Sequence, residues 1–109
     1  MKTEQPILIT TIKASSNINK HLFIGFDGDL CSAAAKSFGV SNADSDSGDE
    51  MPVMAEGIAL VLSGAAVSQS DPVESDANAK AIPVSAGEIN GYALDDASGA
   101  DELIRIKLV

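Results

Sequence analysis

An all-β fold, a small single-domain sandwich or barrel, is what this 109-residue sequence predicts. Three observations carry the expectation. Short apolar stretches alternate with small, turn-forming residues roughly every eight to twelve positions through the second half of the chain, the spacing of a sandwich or barrel. No segment holds a helical period long enough for a bundle, and no heptad or internal repeat is visible. The apolar residues are also small, with many Ala, one Tyr, three Phe and no Trp. Alanine buries little area, and burial is worth about 25 cal/mol per Å², so the core is thin. A thin core gains from partner copies or a docking surface, because whatever binds the folded state stabilises it.

Taken in order, residues 1–6 read as a loose arm. Ile7 to Lys13 reads as a strand with Ile7, Ile9 and Thr11 on one face and Leu8, Thr10 and Ile12 on the other. Both faces are apolar, so the strand is expected to be central or covered by another chain. Residues 1–13 thus form an N-terminal arm or strand, and residues 14–109 the β domain. His21 to Phe26 is a second strand with Leu22, Ile24 and Phe26 inward, closed by a turn at Asp27-Gly28-Asp29. Leu30 to Phe38 allows one short helical turn through Ala33-Ala34-Ala35, with Ser32 as cap and Gly39 as stop. Ser41 to Glu50 is a polar, acidic, exposed loop. Gly57 to Leu62 is the strongest strand and sets Ile58, Leu60 and Leu62 together. Val73 to Ser75 and Ala81 to Val84 make a hairpin around Asp76-Ala77-Asn78-Ala79-Lys80. Pro83 cannot donate to a ladder, which makes that arm an edge. Ile89 to Leu94 and Leu103 to Val109 are the last strands, joined by a small-residue turn over Asp95 to Asp101.

Net charge is −9 and uneven. Residues 1–36 carry Lys2, Lys13, Lys20 and Lys36 against Glu4, Asp27 and Asp29, a net of +1; residues 37–109 carry Lys80, Arg105 and Lys107 against thirteen acids, a net of −10. An acidic body argues against nucleic-acid binding, which needs clustered Lys and Arg. It suits a surface that repels DNA and its own copies. Cys31 is the single cysteine, so no intrachain disulfide can form, which fits a reducing cytoplasm. Met1 to Pro6 lacks the apolar core of a signal peptide. The longest apolar run, Ile58 to Val67, is far below the roughly 20 residues that span a bilayer. The expectation is a protein made in the cytoplasm with no membrane partner.

No constellation of catalytic, cofactor-binding or metal-ligating residues emerges. Asp44, Asp46, Asp49 and Glu50 are oxygen donors at close spacing. If Gly48 were the sixth position of an EF-hand loop, however, Ala43 would be the first and Met54 the twelfth, where Asp and Glu are required. A solvated acidic loop is the better reading. His21 and Cys31 could pair as base and nucleophile, but no local signature surrounds either. They supply two of the three or four ligands that zinc needs. Gly25-Phe26-Asp27-Gly28 lacks the Gly-Lys-Ser/Thr ending of a phosphate loop and reads as a turn. The Val73 to Val84 hairpin is similar to that of lipoyl carrier domains, whose modified lysine directly follows an Asp. Here Lys80 stands four residues beyond Asp76, and two-fold halves are not visible. A small ligand-binding barrel is a further alternative, weakened by the shortage of aromatics to line a pocket.

The second half carries a resemblance. It reads Pro52-Val53-Met54-Ala55-Glu56-Gly57-Ile58-Ala59-Leu60-Val61-Leu62-Ser63-Gly64-Ala65-Ala66-Val67, then Asp71-Pro72-Val73-Glu74-Ser75-Asp76, then Gly91-Tyr92-Ala93-Leu94-Asp95-Asp96-Ala97-Ser98-Gly99-Ala100, and ends Leu103-Ile104-Arg105-Ile106-Lys107-Leu108-Val109. This order resembles the small capsid cement, or head decoration, proteins of tailed bacteriophages, closely over residues 52–109 and loosely over residues 1–51. The resemblance implies a non-enzymatic virion protein on the capsid exterior that bridges major capsid proteins and stabilises the shell. It also implies a homo-oligomer on the symmetry axes of the shell, a trimer favoured over a dimer. No cofactor follows from it.

Overall fold

The computed structural model describes residues 2–109. Eight strands are found among them: β1 (Gln5–Lys13), β2 (Phe23–Ile24), β3 (Gly39–Ser41), β4 (Glu50–Leu62), β5 (Pro72–Ser75), β6 (Ala81–Pro83), β7 (Gly91–Ala93) and β8 (Leu103–Leu108). They form one antiparallel sheet in the order β2-β3-β4-β8-β7-β5-β6, with β1 added to β4. The sheet curls until its ends nearly meet. Ser63, just past β4, makes a parallel bridge to Ala81 at the start of β6, and the Gly64 N–H donates to the Ala81 carbonyl at 2.8 Å. The result is a nearly closed barrel of β4, β8, β7, β5 and β6. Closure removes exposed edges, which are otherwise sites for unwanted pairing.

Alternation along the strands fills the barrel. Ala59 and Val61 of β4, Ile104 and Ile106 of β8, Ala93 of β7, Val73 of β5 and Ala81 of β6 all point inside, joined by Phe23, Val40 and Met54. Ile58, Leu60 and Leu62 do share a face, but it is the outer, half-buried one. A second cluster lies under the first half of β4. There Met51 and Val53 meet Ala14, Ile18 and Ile24, with Ile12, Leu30 and Phe38 against them. The 13-residue β4 is therefore the spine of the molecule. β1 runs along one edge of it. Its other edge meets β3 at Val53 and Met54 and β8 from Ile58 to Leu62, so Ile58 is paired with Gln5 on one side and Lys107 on the other.

Several local expectations change. Residues 30–38 hold no helix. Ala34 stands at φ 63°, and its backbone bonds go outward: its N–H to the Ser75 carbonyl and its carbonyl to the Glu88 N–H. Gly39 opens β3 rather than ending a helix. The second strand shrinks to Phe23–Ile24, and Phe26 points out, 69% exposed. Leu22 and Phe23 enter the barrel core while Ile24 enters the second cluster, because this segment lies between the two. β1 is neither central nor covered by the rest of its own chain. It is an edge strand, exposed over most of its length. Of the arm expected over residues 1–6, Met1 lies outside the described residues; Gln5 and Pro6 already belong to β1. The hairpin of β5 and β6 forms as expected, and β6 ends the strand order.

Candidate interaction face

β1 begins the most unusual surface of the molecule. Its pairing with β4 slips twice: Pro6 faces Gly57, Leu8 faces Glu56, and Ile9 faces Met54. Ile7 is thus an extra residue on β1, and Ala55 an extra residue on β4, two opposed bulges within a few residues. Gly57 makes the crossing possible. Its φ is +117°, and a Cβ there would collide with the Gln5 carbonyl and stand 2.8 Å from the Ile7 nitrogen. Only glycine combines that backbone angle with that approach.

The bulges throw three consecutive large apolar side chains outward. Ile7 is 79% exposed, with Leu8 and Ile9 also exposed. Beside Ile7 a groove of about 420 Å³ opens between Ala55, Gly57 and Ile58 of β4 and Lys107, Leu108 and Val109 at the end of the chain; Glu56 stands on its rim. The outer face continues as a cross-strand row of Pro72, Tyr92, Lys107, Ile58 and Gln5. Large exposed apolar side chains beside an apolar groove make this face a candidate for contact with another macromolecule.

The face carries both signs of charge, with Glu56 lining the groove and Lys2 near Asp95 and Glu102. Lys2 reaches across to donate to the Leu103 carbonyl at 2.9 Å, and Lys107 is exposed. Arg105 forms a two-pronged ion pair with Asp95, at 3.0 Å from Nε and 2.9 Å from Nη2. That pair holds the Asp95 carboxyl down at about 2, chiefly through the hydrogen bonds from Arg105.

The other residues singled out in the sequence fall apart in space. A ring nitrogen of His21 contacts the Leu60 carbonyl at 3.2 Å. Cys31 is buried and points its thiol at the Ala35 carbonyl, 3.4 Å away. Burial pushes that thiol up, away from the thiolate a nucleophile needs. Lys80 is ion-paired with Asp101, which leaves the hairpin tip to Ala77 and Asn78. Hydrogen bonding to Asp101 also holds the Lys80 ammonium charged more firmly than usual.

The carboxylates of Asp44, Asp46, Asp49 and Glu50 are all exposed. The loop they belong to is nonetheless ordered by hydrogen bonds. Asp44 accepts from the Lys20 N–H and Asp49 from the Asp46 N–H, both at 2.9 Å, and Ile18 bridges Ser45. Among the described residues no three His, Cys, Asp or Glu side chains gather to hold a metal ion.

The apolar faces of β1 were readable in the sequence, but the groove was not. Val109, Lys107 and Gly57 meet there only because β4 pairs with β1 on one edge and β8 on the other. The single hint was a glycine inside the strongest strand, a mark of a bulge or a close approach.

The phage cement protein family model matches residues 1–108, so the chain belongs to that family. No curated protein matches it. Among solved structures it is similar to the head fiber gp8.5 N base of bacteriophage phi29, with a TM-score of 0.76 and 19% identity over 94% of this chain and 93% of that one. At that identity the likeness is one of fold.

Proposed function

We propose that this chain is a non-enzymatic cement protein that binds the outer face of a phage head and stabilises the shell by bridging neighbouring major capsid proteins. The observation that carries the reading is β1: an apolar strand exposed on both faces, paired along one edge only, in a chain of the phage cement family. Such an edge can add to a neighbouring sheet through main-chain hydrogen bonds, with pockets for alternate side chains giving specificity. In this reading the work is divided along the chain. Residues 1–13 engage a neighbouring polypeptide, either the major capsid protein or an adjacent copy, and residues 14–109 form the decorating body. The protein is made in the host cytoplasm and ends on the capsid exterior, where its acidic body faces solvent. It acts as a homo-oligomer, a trimer favoured over a dimer. Many weak, identical contacts then sum to a large stabilisation.

Reconstitution tests this. Purified protein is mixed with expanded heads that lack it, and bound copies are counted after sedimentation. Wild type should saturate at a fixed ratio to the major capsid protein, and a Leu8→Asp, Ile9→Asp variant should bind at least about tenfold more weakly. Equal binding by the variant would remove β1 from the docking surface.

A further inference from the structure

The groove beside Ile7 is matched by a knob on the same molecule. Phe26 stands 69% exposed at the tip of the turn that follows β2. Its ring rests edge-on against Phe38, with centroids 5.3 Å apart and planes at 79°, so it is held in place rather than free. The turn is built firmly: the Gly25 N–H donates to the Asp29 carbonyl at 2.9 Å, and Asp27 accepts from the Asp29 N–H at 3.1 Å. Asp27 itself is exposed next to the knob.

We propose that Phe26 of one copy seats in the Ile7 groove of a second copy. This rests on the reading of the chain as a self-associating head protein, and it names the contact. Two complementarities choose the occupant. The groove is apolar, lined by Ile7, Ala55, Ile58, Leu108 and Val109, and an aromatic ring is the side chain that gains most from such a site. Lys107 and Glu56 both border it, so the carboxylate beside the knob sets the orientation, with Asp27 toward Lys107 and away from Glu56.

Knob and hole lie on separate parts of the molecule. The Phe26 turn abuts the far end of β1, where Gly28 packs against the Lys13 carbonyl. Ile7 lies six residues back along the strand, roughly 20 Å at the rise of a β-strand. One copy cannot fill its own groove, and two copies related by a two-fold axis are not required. Knob and hole at separate places are met either by a two-fold pair with two reciprocal contacts or by a heterologous contact that closes into a ring. A trimer ring is one closed solution.

The test separates knob from hole. Self-association is measured by sedimentation equilibrium for wild type, Phe26→Ser, Ile7→Ser and an equimolar mixture of the two variants, with circular dichroism confirming that each folds; both side chains are exposed, so folding should survive. Each variant alone should associate at least about 30-fold more weakly than wild type, the scale of an aromatic anchor. The mixture should form a pair of one copy of each, because one intact knob meets one intact hole. A wild type that stays monomeric at every concentration overturns the proposal. So do unchanged association of either variant, or variants that fail alone and also fail when mixed. If Phe26→Ser loses binding to heads but keeps self-association, the knob belongs to the shell contact and the proposal is again overturned. Binding of wild type to heads is scored separately: its loss would reject the cement reading and leave the knob-and-groove contact standing or falling on the mixture alone.

Discussion

At the scale of single residues, two positions carry most of the argument. Gly57 has the positive φ that lets β1 lie against β4 past two bulges. Gly57→Ala combines a strained backbone with a collision against Gln5 and Ile7. It should cost about 1–3 kcal/mol in denaturant unfolding and detach the start of β1, seen as faster hydrogen exchange over Gln5 to Ile9. Unchanged stability and protection would mean that the crossing does not depend on glycine. Asp95 is the second position. Its carboxyl is held at about 2 by Arg105, below the usual carboxylate value of about 3.9. A group whose pKa is lowered on folding contributes stability that is present above the unfolded pKa and lost as pH falls through the folded one. The wild type should therefore lose stability relative to Asp95→Asn as pH drops from about 5 to 2, the gap being widest near neutral pH. A gap that is flat across that range would show that the pair contributes nothing. Phe26 shows the limit of reading single residues from sequence. Alternation with Leu22 and Ile24 predicted it inward, yet Gly25 turns the chain first and leaves it on the surface.

At the scale of elements, legibility followed local pattern. β1, the β5–β6 hairpin, β8 and the second half of β4 are apolar runs bounded by turn residues and fall in the segments the pattern marked, while β7 keeps only Gly91–Ala93 of the expected Ile89 to Leu94 and β1 is an exposed edge. β3 and the first half of β4 were not legible. Gly39-Val40-Ser41 is too short to show a period, and Met51 to Glu56 follows an acidic loop and contains Pro52. Both become strands because β4 is paired on each edge, a tertiary cause that no window of sequence holds. The helical turn through Ala33-Ala34-Ala35 stops at a single turn, closed by the Ala35 N–H on the Ser32 carbonyl at 3.1 Å, because the backbone groups of Ala34 bond to Ser75 and Glu88 instead of continuing a helix. The seam where β4, β6 and β8 meet offers a test. The fully buried Ser63 donates from Oγ to the Gly99 carbonyl at 2.7 Å and accepts the Glu102 N–H at 3.1 Å. Ser63→Ala leaves both partners unmet and should cost about 1–2 kcal/mol in equilibrium unfolding. A neutral result would indicate that the barrel closes without this seam.

At the scale of the whole molecule, two core clusters share one spine, and β1 lies outside both apart from Ile12. Deleting residues 1–10 should thus leave a barrel that still unfolds cooperatively, with a lower midpoint for want of the β1–β4 ladder, but that no longer binds heads. Failure to fold would make β1 a structural strand of the barrel; folding with unchanged binding would remove its docking role. The proposed role is one of contact with a phage head, so particles are where it is tested. Quantitative mass spectrometry of purified virions, with the major capsid protein as internal standard, measures it most directly. This protein should be present in a fixed stoichiometric ratio to the shell protein and accessible to labelling from outside the head. Its absence from virions, or its presence at only a few copies per particle, would contradict the account.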